Sequence, residues 1–269
     1  MNKQLLKSQY KSNIKSTKEK YKNERKIKKT EYKAKLFAQK NDYRASIRQL
    51  YLSEGKALPK DPPKRSLLEE IGNATTHGVG AIFGIVAMIL MLMLSDSVLK
   101  YAGAIVYGVG LVIMFTMSCL YHSFRHGSAV KRLFRRFDYS SIYLLIGATF
   151  APVLLAYFGN TFGFIFFGIQ WAIIALGITL VGVFGPTRLR FIHIPLYLIL
   201  GWSALMLMPG MLRGAVSMAL FILAGGVVYS VGIIPFALKK RCSHFIWHFF
   251  VLAGAIVQWV GIFTHLYLK

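Results

Sequence analysis

Residues 244–255 read HFIWHFFVLAGA, and the apolar run that starts there continues to residue 267. A stretch of about 20 mainly apolar residues can cross the roughly 30 Å hydrocarbon core of a bilayer as a helix. Lipid offers no partners to a bare backbone, so the segment must close its own hydrogen bonds, as an α-helix does. On that helix His244 and His248 stand at i and i+4, sharing one face with Cβ atoms roughly 5–6 Å apart. Such a pair can grip one metal ion, or it can be two interfacial imidazoles bonded to neighbouring backbone. The HxxxH spacing alone does not choose between them.

The same apolar pattern recurs along the chain. Windows at 77–95, 101–121, 138–158, 162–184, 191–208, 215–237 and 245–267 predict seven transmembrane helices, and so an all-α integral membrane protein. The fifth window is the shortest and carries His193 and Pro195. Pro152, Pro195 and Pro235 fall in or near span ends and interiors, where neighbouring helices can satisfy freed carbonyls, so kinks are expected and not breaks. Gly80, Gly84, Gly225 and Gly226 read as sites of close helix packing. GVGAIFG (78–84) follows no strand and is no nucleotide fingerprint.

The chain has 269 residues, 55% hydrophobic content and a net charge of +23. Up to Glu70 there are 20 Lys and Arg against 8 Asp and Glu; beyond it, 13 stand against only Asp96 and Asp138. This divides the chain into a basic extension, residues 1–65, and a membrane domain, residues 66–269. The apolar body makes membrane lipids the expected partner and excludes nucleic acid as the reading of the basic charge. Residues 1–65 hold no apolar run of the secretory-signal kind, so targeting to the plasma membrane as a multi-pass protein rests on the spans. Cys119 and Cys242 make no disulfide framework.

Loop charge sets the orientation, because Lys and Arg concentrate on the cytoplasmic side. The leader, the 122–137 loop with RHGSAVKRLFRR, GPTRLR (185–190) and LKKRCS (238–243) are basic; the opposite connections hold only Lys100 and Arg213. The N-terminus is therefore expected in the cytoplasm and the C-terminus outside. In the leader, Tyr32, Leu36, Tyr43, Ile47 and Leu50 fall near one helical stripe beside a Lys-rich face. That composition fits a helix lying on anionic inner-leaflet lipids and equally a solvated, partly disordered tail.

With this topology Ser118, His122, Asp138, His244 and His248 come from three separate helices to one depth at the cytoplasmic boundary. Ionisable groups in membrane helices are costly and usually face the protein interior with partners, so their gathering at one level points to a site. Three imidazoles with an open fourth position match a catalytic zinc shell. EEIGNATTHGVG (69–80), SCLYH (118–122), FDYSSIYLLIGATFAP (137–152) and HFIWHFFVLAGA (244–255) together resemble the hemolysin III branch of the progestin and adipoQ receptor family, over roughly residues 66–268. The resemblance implies seven helices with an inside N-terminus and a Zn2+ ion held by His122, His244 and His248. It also implies that Asp138 touches the zinc-bound water, with Ser118 beside it. The family is similar in these motifs to alkaline ceramidases, which implies a lipid amide or ester as a possible substrate class.

Each residue also has a plainer reading. His122 can cap its helix, with His126 an i, i+4 neighbour in the basic loop; His122 is the expected ligand. His193 reads as a satisfied interfacial histidine, and His265 is about five turns from His248, out of reach. Asp138 can pair Arg135, Arg136 or a helix N-terminus. Glu69, Glu70, Asn73 and His77 either cap the first span or line the cavity. No HExxH glutamate is present, because Phe245, Ile246 and Trp247 fill the gap, so Asp138 is the acid available for proton transfer. Three functions remain: a zinc-dependent lipid hydrolase, a receptor-like or membrane-homeostasis protein with structural zinc, and a cytolysin. A pore is disfavoured because polar residues do not run through the spans. Reporter fusions placed after Ser243 and at Lys269 are expected to report opposite sides of the membrane; the same side for both would break the seven-span reading.

Overall fold

The computed structural model describes residues 3–53, 63–238 and 240–268, and among them every regular element is helical. Backbone contacts divide the chain into two units, residues 1–59 and 60–269. The first contains a single long helix, α1 (Lys3–Ser53). The second holds α2 (Leu67–Met93), α3 (Val98–Ser123), α4 (Ala129–Ala151), α5 (Thr161–Phe184), α6 (Arg190–Trp202), α7 (Met208–Met211), α8 (Val216–Ala237) and α9 (Ser243–Leu266). Seven segments are long and apolar enough to cross a membrane: α2, α3, α4 with its extension to Phe158, α5, α6 through α7, α8 and α9.

The starts of four spans are written in short polar residues. Ser66, Ser97, Ser128 and Asn160 each accept a hydrogen bond from the backbone N–H three residues on, satisfying one of the donors a helix start leaves bare. Gly159 and Gly185 end two spans with φ of 53° and 80°, backbone that a side chain would strain. Pro152 does not break the third span; the helix widens there into a π-helical stretch, Pro152–Phe158. The fifth span is the one that fragments, running from α6 through a 3-10 turn at Ser203–Leu207 into the short α7.

The third span starts nine residues before the window read from hydropathy, because α4 begins at Ala129. Lys131 and Arg135, read as loop charges, lie buried on that helix at 1% and 6% exposure. α2 packs along α3, α3 along α4 and α8 along α9, while α9 returns to α2. Helices in lipid associate through close packing of small residues, since lipid is as apolar as a leucine face. Gly80 lies directly under the Phe115 ring and Gly225 under Gln258, whereas a Cβ on Gly226 would meet nothing within 4 Å. Three of the four glycines expected at contacts are at contacts; Gly226 lines a cavity instead. Gly80→Ala drives a methyl group into a fully buried ring and is expected to cost about 1–3 kcal/mol, as overpacking does. Thermal unfolding in one detergent should show Gly80→Ala melting below the parent and Gly226→Ala at or above it.

Candidate metal centre

α3 ends and α9 begins at the same level. Cys242 turns the chain with φ of 62°, and α9 starts at Ser243, so His244 and His248 occupy its first two turns. Their Nε2 atoms stand 3.2 Å apart. His122, the penultimate residue of α3, completes the group: one ring nitrogen from each of His122, His244 and His248 lies within 4.8 Å of the others. His122 and His248 are buried and His244 is half-buried.

The far side of the His122 ring explains which nitrogen faces the cluster. Its Nδ1 is 2.5 Å from Glu70 Oε2. A carboxylate oxygen accepts, so Nδ1–H donates and the proton is fixed on that nitrogen, leaving Nε2 as a lone-pair donor toward the other imidazoles. That Nε2 is buried without a hydrogen-bond partner. The Asn73 amide lies 3.3 Å from the same Nδ1. Glu70 is itself anchored, because Lys131 Nζ donates to Oε1 at 3.0 Å and to the Phe124 carbonyl at 3.0 Å. A line of contacts therefore runs from α4 through α2 to α3 and ends on a nitrogen aimed at two others. An orphaned, buried Nε2 facing two converging imidazole nitrogens fits a metal ion.

His77 stacks on His248 with ring centroids 3.8 Å apart, and both of its nitrogens are buried without partners. The start of the first span is capped by Ser66, so Glu70, Asn73 and His77 line the site and do not cap the helix. Ser118, one turn before His122, lies close to the Asp138 carboxyl, with the Arg65 and Arg135 guanidinium groups among that acid's charged neighbours. Asp138 is within electrostatic reach of His122 but is not one of the three residues whose ligand atoms converge. Its backbone carbonyl accepts from Ser141.

The remaining histidines separate from this group. His193 is fully buried; its Nδ1 is 2.9 Å from the Tyr143 hydroxyl, while its Nε2 has no hydrogen-bond partner, so it is only half satisfied. His265 faces Tyr157 at the other end of α9. His126, Cys119 and Cys242 are in no group of three ligand-bearing residues among the described residues. The sequence assigned Lys131 no partner and left Glu70 between capping the first span and lining the cavity. The available signal was the spacing of Glu70, Asn73 and His77, which at i, i+3 and i+7 share one inward face of α2.

Fold and site together define a multi-pass seven-helix membrane protein with a buried three-histidine cluster able to hold a metal ion. The sequence matches the haemolysin-III related family over residues 65–259, and the chain belongs to that family. It is 36% identical to Hemolysin-3 of Bacillus cereus over 196 residues, 71% of this chain and 88% of that protein. It is 34% identical to the Hemolysin-3 homolog of Bacillus subtilis (strain 168), over 71% of this chain and 91% of the relative. Monocyte to macrophage differentiation factor of Homo sapiens is 31% identical over 76% of this chain and 87% of its own length.

Glu70→Ala removes the acceptor that orients His122 and is expected to weaken metal binding about 10–100-fold, the usual effect of losing such a partner. Glu70→Gln keeps an oxygen for Nδ1–H and should recover part of that loss. Metal retained after dialysis against graded chelator reads both, with His248→Ala as the emptied reference. Parental affinity in a folded Glu70→Ala chain would remove the orienting role.

Proposed function

We propose that this protein is a zinc-dependent intramembrane hydrolase of a lipid amide or ester, held in the plasma membrane with its N-terminus in the cytoplasm. What supports the reading is the convergence of the three imidazoles, with Asp138 in electrostatic reach of His122, next to an apolar cavity. Three protein ligands leave a coordination position free, the arrangement of catalytic and not of structural zinc. When bound there, zinc supplies Lewis acidity toward a carbonyl and a nucleophile from water at neutral pH.

The chain's own residues supply the rest. Asp138, in electrostatic reach of His122, takes a proton from the attacking water and returns it to the leaving group, Glu70 being engaged by His122 and Lys131. Ser118, one turn before His122, offers its hydroxyl to a developing oxyanion. His122, fixed by Glu70, keeps its lone pair on the cluster through the cycle. The cavity, of about 150 Å³, is lined by Tyr139 next to Asp138 and by Trp247 next to His248, and extends to Val251 and Gln258. From Trp247 to Gln258 the α9 backbone rises roughly 16 Å at 1.5 Å per residue, long enough to lie along much of an acyl chain. Phe236, also in its wall, lies against His244 with ring centroids 5.9 Å apart.

The rival reading is a receptor-like or membrane-homeostasis protein in which the ion only ties helices together; it is favoured by the way Glu70, Lys131 and the histidines link α2, α3, α4 and α9. Cytolysis, which the relatives' names suggest, draws less support because the cavity wall is almost wholly apolar.

Asp138→Asn separates the first two. It preserves shape and leaves all three imidazoles, so metal content should stay at the parental level while lipid amide or ester cleavage falls by about 10²-fold or more. Equal turnover by parent and variant, or a metal-loaded parent that cleaves nothing from a panel of ceramides, acyl amides and esters, would favour the non-enzymatic reading.

A further inference from the structure

α1 is one unbroken helix from Lys3 to Ser53, and its sequence repeats. Tyr10, Tyr21, Tyr32 and Tyr43 stand 11 residues apart, each followed in sequence by a basic residue: Lys11, Lys22, Lys33 and Arg44. Four residues after the tyrosines come Ile14, Arg25, Leu36 and Ile47, and eight after the first three come Lys18, Lys29 and Lys40. Eleven residues complete three helical turns at about 3.67 residues per turn, so positions with this period stay in register along a nearly straight helix. At that pitch the fourth position after each tyrosine lies about 33° round the helix, the eighth about 65° and the first about 98°. A line of tyrosines therefore has an aliphatic-rich line against it and a basic flank next to that, all on one side. The four acids of the helix, Glu19, Glu24, Glu31 and Asp42, fall outside this flank.

Among the described residues of the first unit, nothing covers that side. The four tyrosines are 67–71% exposed, and Leu36 is exposed beside them. Helix α1 carries 16 basic residues against its four acids, a net charge of +12. In sequence only residues 54–66 separate it from the first membrane span, so a lipid surface is always within tethered reach, at high effective concentration.

We infer that α1 lies along an anionic lipid surface, with its tyrosine line at the headgroup boundary and its basic flank against headgroup phosphates. Tyrosine suits that depth, since its ring is apolar and its hydroxyl stays wet. A second copy of the helix is the weaker occupant: pairing would add one +12 charge to another, and would bury Arg25 and, on the same side, Lys28 in the seam. At a membrane those two side chains reach back to water along their own stems. Nucleic acid would use the basic flank but leave the tyrosine line unexplained. The inference is independent of any chemistry at the histidines.

The test uses the full chain with Cys119→Ser and Cys242→Ser, spin-labelled through Leu36→Cys on the tyrosine side or Ala34→Cys on the opposite side. The protein is reconstituted into vesicles of phosphatidylcholine alone or mixed equally with phosphatidylglycerol. The spans hold the protein in the bilayer whatever the leader does. In anionic vesicles the Leu36→Cys label is expected to shift severalfold from a water-soluble nickel chelate toward oxygen, while the Ala34→Cys label stays in water. In phosphatidylcholine both should remain in water. Replacing Tyr10, Tyr21, Tyr32 and Tyr43 together by Ser should abolish the shift without changing the charge. Both labels facing water in anionic vesicles would overturn the inference. So would label-to-label broadening in phosphatidylcholine, which assigns the stripe to a second copy, or protection that appears only on adding RNA.

Discussion

The Glu70 carboxylate, shared between His122 Nδ1 at 2.5 Å and Lys131 Nζ at 3.0 Å, is the contact on which the geometry of the site depends. A buried ammonium costs several kcal/mol unless its donors are met, and Lys131 is 1% exposed. Glu70 and the Phe124 carbonyl meet them, which lets α4 begin nine residues before its apolar stretch and run back alongside α3. The same carboxylate then has one oxygen left, and that oxygen fixes the proton on His122. One acid thus solves two problems, neutralising a buried cation and choosing the face an imidazole turns to the other ligands. Take it away and Lys131 is left buried and uncompensated while His122 loses its orientation.

Packing elsewhere obeys the solvent. Between lipid-facing helices there is no hydrophobic force to bring surfaces together, so contacts rest on close approach, with Gly80 under Phe115, Gly84 against Leu111 and Gly254 against Tyr229. Where that closeness is relaxed, a space opens. The fragmented fifth span and the bare side of Gly226 both border the cavity beside the histidines. Loose packing there is compatible with stability because α2, α3, α4 and α9 are already joined at their polar ends.

Much of this was legible in the sequence, for reasons that can be named. Spans announce themselves because a backbone in lipid must be helical and apolar for about 20 residues, and the histidines because imidazoles are rare there. Their grouping followed from counting which helix ends share a side. Lys131 was misplaced for the converse reason: hydropathy ends a window at a charge, and only a partner from another helix makes the charge buriable. Glu70 was ambiguous because an acid near a helix start serves as well for the dipole as for a site. The π-helical turn after Pro152 and the 3-10 break at Ser203 depend on neighbours that no local pattern encodes. In the leader the reverse held, since an 11-residue period is a property of sequence alone, visible once the helix is known to run unbroken.

The placement of polar and apolar groups also constrains what the site can handle. The three imidazoles come from the end of α3 and the start of α9, while the cavity lined by Tyr139 and Trp247 is walled by Met114, Ile222 and Val251. A molecule with one polar end and one long apolar end meets both demands in a single orientation, headgroup at the histidines and tail toward Gln258. A wholly polar substrate would leave the cavity empty, and a wholly apolar one would bring no carbonyl to the cluster. On the proposed hydrolase reading, a lipid with an amide or ester between head and tail would bring its reactive bond to where the two environments meet, and that fit, more than the metal-binding potential alone, makes hydrolysis the reading to test first.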